Sequence, residues 1–341
     1  MSLKRNAYEK LYSGFLSKFP EDYAINLGRS FLRFPIEFLG RYETDDGRLL
    51  TKIGNCELPN LVILSACYHE PHIIKKAMRL GFGGVTLKVT KYPKKGNREP
   101  TIVRRGEGFV NCVGFENLGM EGYKKFLKSH RRKKPIILNI TGDNKNEYLD
   151  VVSGLENYAD MFELNISCPN TENGMNFSKY PEKVKDLFRE SRNLTEKPII
   201  IKLSPDKEFE ENNYKRIIPY AVDSGIDVVN FGNTRSFKDE RLSIGSGGLS
   251  GPNLYENVLM NVERIYDKFG RYLKIIATGG IDSPEKAYEA IVRGATCVSY
   301  VTGFVTKGPF LAKGINKHLS EKLDEQGMES IGDLVGFWHT P

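Results

Sequence analysis

Glu163-Leu164-Asn165-Ile166-Ser167-Cys168-Pro169-Asn170-Thr171 follows Ala159-Asp160-Met161-Phe162, so a strand pattern runs straight into a polar turn. Two asparagines, a serine and a cysteine stand at the strand's C-terminal end. Pro169 has a fixed φ and no N–H, so the strand cannot continue regularly through it. At the C-terminal end of a barrel strand, polar side chains point into the mouth where chemistry occurs. An asparagine-rich turn over a buried thiol would read the same way locally. The rhythm of the surrounding chain separates the two readings.

From Asn60 onward that rhythm is strand, loop, helix. Strands are expected over 61–66, 84–89, 135–140, 161–165, 198–203, 227–231, 273–278 and 296–301. Amphipathic helices are expected over 71–80, 180–195, 212–224, 255–269 and 284–293. Eight strands alternating with helices predict an α/β fold, a (β/α)8 TIM barrel rather than an open sheet. The segment 90–120 is too long for an ordinary βα loop and holds two β-like pieces, 101–104 and 109–113. It predicts a hairpin excursion over the barrel mouth. The domains are then an N-terminal helical extension, 1–40, and a barrel, 41–341. In the extension, Tyr8, Leu11, Tyr12 and Phe15 fall at helical spacing, and Phe19-Pro20 ends that helix. A second helix begins near Glu21-Asp22 and carries Ala24, Leu27, Phe31 and Leu32. A short hairpin turning at Asp45-Asp46-Gly47 is expected before the barrel.

Composition sets the class. Of 341 residues, 40% are hydrophobic and 27% charged, as in an ordinary soluble protein. No apolar run approaches the ~20 residues of a membrane span, and no secretory signal pattern opens the chain. Cys56, Cys67, Cys112, Cys168 and Cys297 are scattered and lack Cys-x-x-Cys spacing. That pattern argues against a disulfide framework, an iron–sulfur cluster or a metal site, and fits a reducing cytoplasm. The net charge of +7 suits anionic substrates or a membrane surface and is weak support for nucleic acid. The basic run Arg131-Arg132-Lys133-Lys134 reads as a solvated loop.

Several groups of residues suggest chemistry. Thr278-Gly279-Gly280-Ile281 follows the seventh strand and Thr302-Gly303 the eighth, where barrels commonly bind a phosphate. Glycines let backbone N–H groups approach such an anion closely. Ser246-Gly247-Gly248 offers a third backbone approach, which suits a larger ligand with a phosphate tail, such as FMN. Lys88 and Lys202 lie on apolar strands, where a lysine needs a partner. A cation beside the flavin N1 and C2 carbonyl would stabilise an anionic reduced ring. Asn111, Asn139, Asn165, Asn170 and Asn233 fall at strand ends or in mouth loops. Asparagine presents donor and acceptor together, which suits the edge of a cyclic imide or a pyrimidine. Cys168 could act as nucleophile or base or be inert, and His69 and His72 in the first βα loop keep a Cys–His pair open.

Asn-Ile-Ser-Cys-Pro-Asn-Thr at 165–171 closely resembles the active-site motif of the dihydroorotate dehydrogenases. Gly96-Asn97-Arg98-Glu99-Pro100 and Asn111-Cys112-Val113-Gly114-Phe115-Glu116-Asn117-Leu118-Gly119 resemble that family's substrate-loop motifs. The segments 247–252, 278–281 and 303–309 resemble its flavin-binding loops. The resemblance spans nearly the whole chain. It implies FMN at the barrel mouth and oxidation of dihydroorotate to orotate in pyrimidine (UMP) biosynthesis. Cys168 would take the C5 proton, and Lys88 would sit between flavin and substrate. Asn111, Val113, Gly114, Phe115, Asn165, Asn170, Asn233 and Thr234 would hold the substrate. Ser65, Ala66, Asn139 and Lys202 would line the flavin together with the glycine loops.

The cysteine base and Lys88 are similar to the soluble class 1 enzymes. The N-terminal helices and Gly303-Phe304-Val305-Thr306-Lys307-Gly308-Pro309 are similar to the membrane-associated class 2 enzymes, which use quinone and a serine base. Cys67 stands where the family usually has glycine. The acceptor expected is quinone, with fumarate or NAD as alternatives. Peripheral contact with the inner face of a membrane and a homodimer are both left open. Rival readings are another FMN barrel acting on a pyrimidine (dihydropyrimidine dehydrogenase-like, or a dihydrouridine synthase with a helical RNA-binding domain) and a non-catalytic phosphate-binding barrel.

Overall fold

Period-two burial begins ahead of the barrel. In the computed structural model, which describes residues 2–31, 46–129, 134–167 and 177–339, Thr51–Ile53 (β1) and Cys56–Leu58 (β2) form an antiparallel hairpin. Each strand buries its outer residues and exposes its middle one. The turn falls at Gly54-Asn55, not at Asp45-Asp46-Gly47 as the sequence suggested. Asp46 instead caps a 3-10 turn, Gly47–Leu49, accepting from the Arg48 N–H at 3.0 Å. An Asp-Gly pair serves a cap as well as a hairpin, and here the Arg48 guanidinium closing on the same carboxylate favours the cap.

Eight parallel strands then close a barrel. They are Val62–Leu64 (β3), Gly84–Val89 (β4), Ile136–Ile140 (β7), Met161–Asn165 (β8), Ile199–Leu203 (β9), Val228–Phe231 (β10), Lys274–Thr278 (β13) and Cys297–Tyr300 (β14). All lie within the spans expected from their apolar runs. The excursion is also present, as Ile102–Arg105 (β5) against Gly108–Asn111 (β6). Two further strands join it, Arg235–Lys238 (β11) and Ser246–Ser250 (β12), in the order β11-β12-β6-β5. The helix expected over 212–224 contains a π turn, Asn213–Ile217, ahead of Ile218–Asp223. Pro219 lacks an N–H and its ring would clash one turn back, and the widened turn accommodates both.

Side chains alternate across each strand, so every second residue enters the barrel. Ile137, Met161, Ile200, Val228 and Ile276 form an apolar layer by that alternation, all essentially inaccessible. Two residues further along the same strands come Asn139, Glu163, Lys202, Asn230 and Thr278, each at most 9% exposed. Branched apolar residues usually fill this space. Here the layer toward the mouth is polar. Register places Asn139 beside Glu163, Asn165 beside Lys202, and Lys202 beside Asn230.

The N-terminal helices, Ser2–Gly14 (α1) and Glu21–Phe31 (α2), lie over the mouth side of this frame. Asp22 accepts from the Thr101 N–H at 2.8 Å and from the Thr101 hydroxyl at 2.5 Å. The Tyr8 hydroxyl donates to the Val305 carbonyl at 2.8 Å, and Arg29 pairs with Glu70 at 3.4 Å. Leu32 and the expected residues beyond it lie outside the described residues. Arg131, Arg132 and Lys133 do too; Lys134 is half-buried, and its ammonium donates to the Phe82 carbonyl at 2.8 Å. Among the described residues, no helix is long and apolar enough to cross a membrane.

Gly232 directly follows β10 with φ +128°, and a Cβ there would stand 1.6 Å from the Thr278 carbonyl oxygen on β13. The two strand ends can touch only because the side chain is missing. Gly232→Ala should cost about 3 kcal/mol or more from backbone strain and overpacking together. Chemical denaturation would show it, and an unchanged midpoint would mean the neighbouring strand yields freely.

Candidate active site

A cavity opens at the C-terminal ends of the barrel strands. Ser65 and Ala66 enter it after β3, Lys88 from β4, and Asn139, Asn165 and Lys202 from β7, β8 and β9. Asn233 and Thr234 follow β10, and Thr278, Gly279 and Gly280 end β13. Thr302 and Gly303 open the short helix Thr302–Thr306 after β14, and Asn111, Val113, Gly114 and Phe115 reach in from the excursion. Residues from widely separated stretches thus line one space. Cys168 and Asn170 lie outside the described residues.

Ser246, Gly247 and Gly248 do not line this cavity. They form β12, with Ser246 opposite Lys238 and Gly248 opposite both Ser236 and Asn111. A Cβ on Gly248 would stand 2.0 Å from the Thr234 hydroxyl. Glycine is needed there so that Thr234 can lie against the strand. Glycine-rich loops and glycine-rich edge strands look alike in sequence. The pairing with Asn111 that distinguishes them spans 137 residues of chain.

The excursion holds a shaped turn. Phe115 has φ +56°, a conformation uncommon for a residue with a side chain, next to Gly114 at +81°. Asn117 donates to the Phe115 carbonyl at 2.8 Å, and Asn97 donates to the Cys112 carbonyl at 2.6 Å. The two substrate-loop stretches therefore brace each other. The Lys88 ammonium lies 5.5 Å from the centre of the Phe115 ring.

Two buried cations face the cavity, Lys88 at 7% and Lys202 at 5% exposure. Lys202 is 3.9 Å from the Glu163 carboxylate. Asn165 donates to the Asn139 oxygen at 3.2 Å, and Asn233 donates to the Ser167 hydroxyl at 3.0 Å. Ser167 in turn donates to the Lys202 carbonyl at 3.1 Å. Neither His69 nor His72 lines the space. Burial lowers the His69 pKa below the ordinary imidazole range, against the opposing pull of Glu70 and Glu116. Its Nδ1 is 3.7 Å from Glu70 and 3.9 Å from Glu116.

Sequence reading missed Glu163 and Asn230 behind the cavity, and Ile25, Arg29 and Tyr300 on its wall, while Cys67, noted as departing from the family's glycine, does line it. Glu163 had a signal: a carboxylate two residues before Asn165 on one strand face must share Asn165's direction. Ile25 and Arg29 had none, because their place depends on how α2 docks.

The donor set suits a flavin nucleotide. Buried cations suit an electron-rich ring, amides suit its polar edge, and the glycine turn after β13, with Gly279 at φ +123° and Gly280 at +74°, suits a phosphate.

Comparison with known proteins gives the family. The family model described as "Dihydroorotate dehydrogenase" matches residues 48–323. The chain is 34% identical to the dihydroorotate dehydrogenase (quinone) of Nautilia profundicola, over 86% of this chain and 84% of that one. It is 32% identical to the dihydroorotate dehydrogenase B (NAD(+)), catalytic subunit, of Pyrococcus horikoshii, over 84% of this chain and 97% of the relative. The ligand-free DHODH of Eimeria tenella superposes with a TM-score of 0.77 at 23% identity, covering 87% of this chain and 93% of that one, a likeness of fold. With barrel, cavity and sequence in agreement, this chain belongs to the dihydroorotate dehydrogenase family.

Proposed function

We propose that this chain binds FMN at the barrel mouth and oxidises (S)-dihydroorotate to orotate in UMP biosynthesis, passing electrons to a quinone. One observation carries the reading. Lys88, Lys202 and a set of buried asparagines converge on a cavity that also holds the glycine turn after β13 and Thr302-Gly303 after β14. When bound, FMN supplies a hydride acceptor.

The protein's own part is binding, orientation and proton transfer. Cys168 follows Ser167 directly and is the base for the C5 proton. Asn111, Asn165, Asn170, Asn233 and Thr234 hold the pyrimidine edge and carboxylate. Ser65, Ala66, Asn139 and Lys202 face the ring, and Thr278–Gly280 with Thr302–Gly303 hold the phosphate. Ser246, Gly247 and Gly248 take no direct part in this scheme.

Quinone is favoured because α2 contributes Ile25 and Arg29 to the cavity wall. An apolar acceptor could reach the ring past Ile25 without crossing bulk water. We place the working protein in the cytoplasm, peripheral to the inner face of a membrane. A second reading, NAD(+) through a partner subunit, is favoured by the NAD(+)-named relatives and by the cysteine at 168.

The test is anaerobic bleaching of the flavin by dihydroorotate, then reoxidation by a soluble quinone analogue, fumarate or NAD in parallel. No flavin absorbance after FMN is supplied would favour a non-catalytic barrel. Fast reoxidation by NAD or fumarate alone would reverse the acceptor. Deleting residues 1–40 should slow quinone reoxidation about tenfold, the equivalent of about 1.4 kcal/mol of lost binding, and dihydroorotate oxidation less. Equal losses in both half-reactions would make the segment a cover for the barrel and nothing more.

A further inference from the structure

Behind the cavity wall, two amides donate to one carboxylate. Glu163 is 2% exposed. Asn139 donates its amide N–H to one Glu163 oxygen, and Asn230 donates to the other at 2.5 Å. The Lys202 ammonium stands 3.9 Å from the first oxygen. A carboxylate only accepts, so both asparagines must turn their NH2 groups toward it and their carbonyl oxygens away. The outward oxygens are used. Asn139 accepts from Asn165 at 3.2 Å, and Asn230 accepts from the Thr278 hydroxyl at 2.7 Å. Asn165 then accepts from Asn233 at 3.4 Å. Asn139, Asn165, Asn233 and Thr278 line the cavity, whereas Glu163 and Asn230 do not.

We propose that Glu163 is a positioning residue: as terminal acceptor it fixes which end of Asn139 and, through it, of Asn165 donates and which accepts. A ligand with paired imide N–H and C=O groups would be read by that fixed sense, so the proposal rests on the pyrimidine reading above. An amide in a protein can rotate by half a turn at little steric cost, because its oxygen and nitrogen are nearly the same size. What selects one rotamer is the neighbour's chemistry. If Asn139 reversed, Asn165 would have to reverse to stay paired with it, whereas Asn233 is held independently, its oxygen accepting from the Thr234 N–H at 2.9 Å. The carboxylate therefore acts on the ligand through two amides without touching it.

Glu163→Gln tests this with almost no change in shape. Glutamine has one acceptor and one donor end, so it can satisfy only one of Asn139 and Asn230 as they stand. The other must reverse or face an N–H. Orotate affinity, read from the flavin absorbance shift of the FMN-loaded protein, should fall about tenfold or more, the usual effect of one mispaired buried group. The double variant Glu163→Gln, Asn230→Asp should restore it. Its carboxylate at position 230 would accept both from the introduced glutamine amide and from Thr278, freeing the glutamine oxygen for Asn139. Position 230 is also the register neighbour of Lys202, so an anion stays beside that cation.

Asn230→Asp alone sets two carboxylates face to face and should lower Tm, and adding Glu163→Gln should raise it again. That cycle needs no cofactor. If the parent binds neither FMN nor orotate, the functional reading fails, and the Tm cycle still judges the relay. Additive Tm losses overturn it, and so does unchanged orotate affinity in Glu163→Gln. A double variant no better than Glu163→Gln overturns it as well. Should Glu163→Gln fail to fold, the double variant must fold, and its failure to do so also counts against the proposal.

Discussion

Lys202→Met should lower Tm by about 4–7 °C and shift the potential of bound FMN downward. The lysine and Glu163 side chains are 6% and 3% exposed, so water screens neither charge. Removing one partner of such a pair leaves the other buried and uncompensated, at a cost of about 3–5 kcal/mol. At about 2.1 cal/mol/K of unfolding entropy per residue, 1 kcal/mol corresponds to roughly 1.4 °C for a chain of 341 residues. Methionine keeps the length and apolar stem of the side chain, so the loss is of charge and not of volume. The second effect follows from the same charge. A cation on the cavity wall favours negative charge on the ring, and for a two-electron couple about 1.4 kcal/mol is about 30 mV. The potential should fall by tens of millivolts on that scale, measurable by a redox titration against a reference dye. An unchanged potential at full flavin content would mean that Lys202 is directed away from the ring. An unchanged Tm would mean that the two asparagine donors satisfy Glu163 without it.

Cys168→Ser should keep FMN bound and slow flavin reduction by dihydroorotate about 10²-fold or more at neutral pH, within the usual range for a lost general base. A thiol has a reference pKa of about 8.5, so a thiolate fraction exists at neutral pH. A hydroxyl offers no comparable base unless its surroundings are built for one. The sign with pH follows. The base works when deprotonated, so the parent rate should rise with pH and level off above the thiol pKa. The serine variant should lack that limb. Stopped-flow reduction across the pH range measures both, and coincident profiles would remove Cys168 from the base role.

Much of the barrel follows from local chemistry. Apolar runs of four to six residues, broken by polar turns, place β4 and β8 to the residue, because burial on both faces demands continuous apolar sequence. Lys88 and Lys202 are legible for the converse reason: a cation in such a run has no solvent to reach and must face something particular. The glycine turn after β13 and Thr302-Gly303 after β14 are legible by position, since barrels bind phosphates there. Ser246-Gly247-Gly248 misleads because a glycine reports only that something comes close. Here that neighbour is Thr234, brought in by the pairing of β12 with β11.

Local pattern is thus enough for the barrel, the order of its strands and the side chains at their ends, because strand period and burial act over a few residues. Which atoms meet is a matter of the folded whole. Asn139, Glu163, Lys202 and Asn230 come from four strands, and their contacts depend on the stagger of neighbouring strands. Ile25 and Arg29 reach the cavity because Asp22 ties α2 to Thr101, 79 residues away. Such contacts are set by closure and docking of the entire chain, and no local run of residues encodes them.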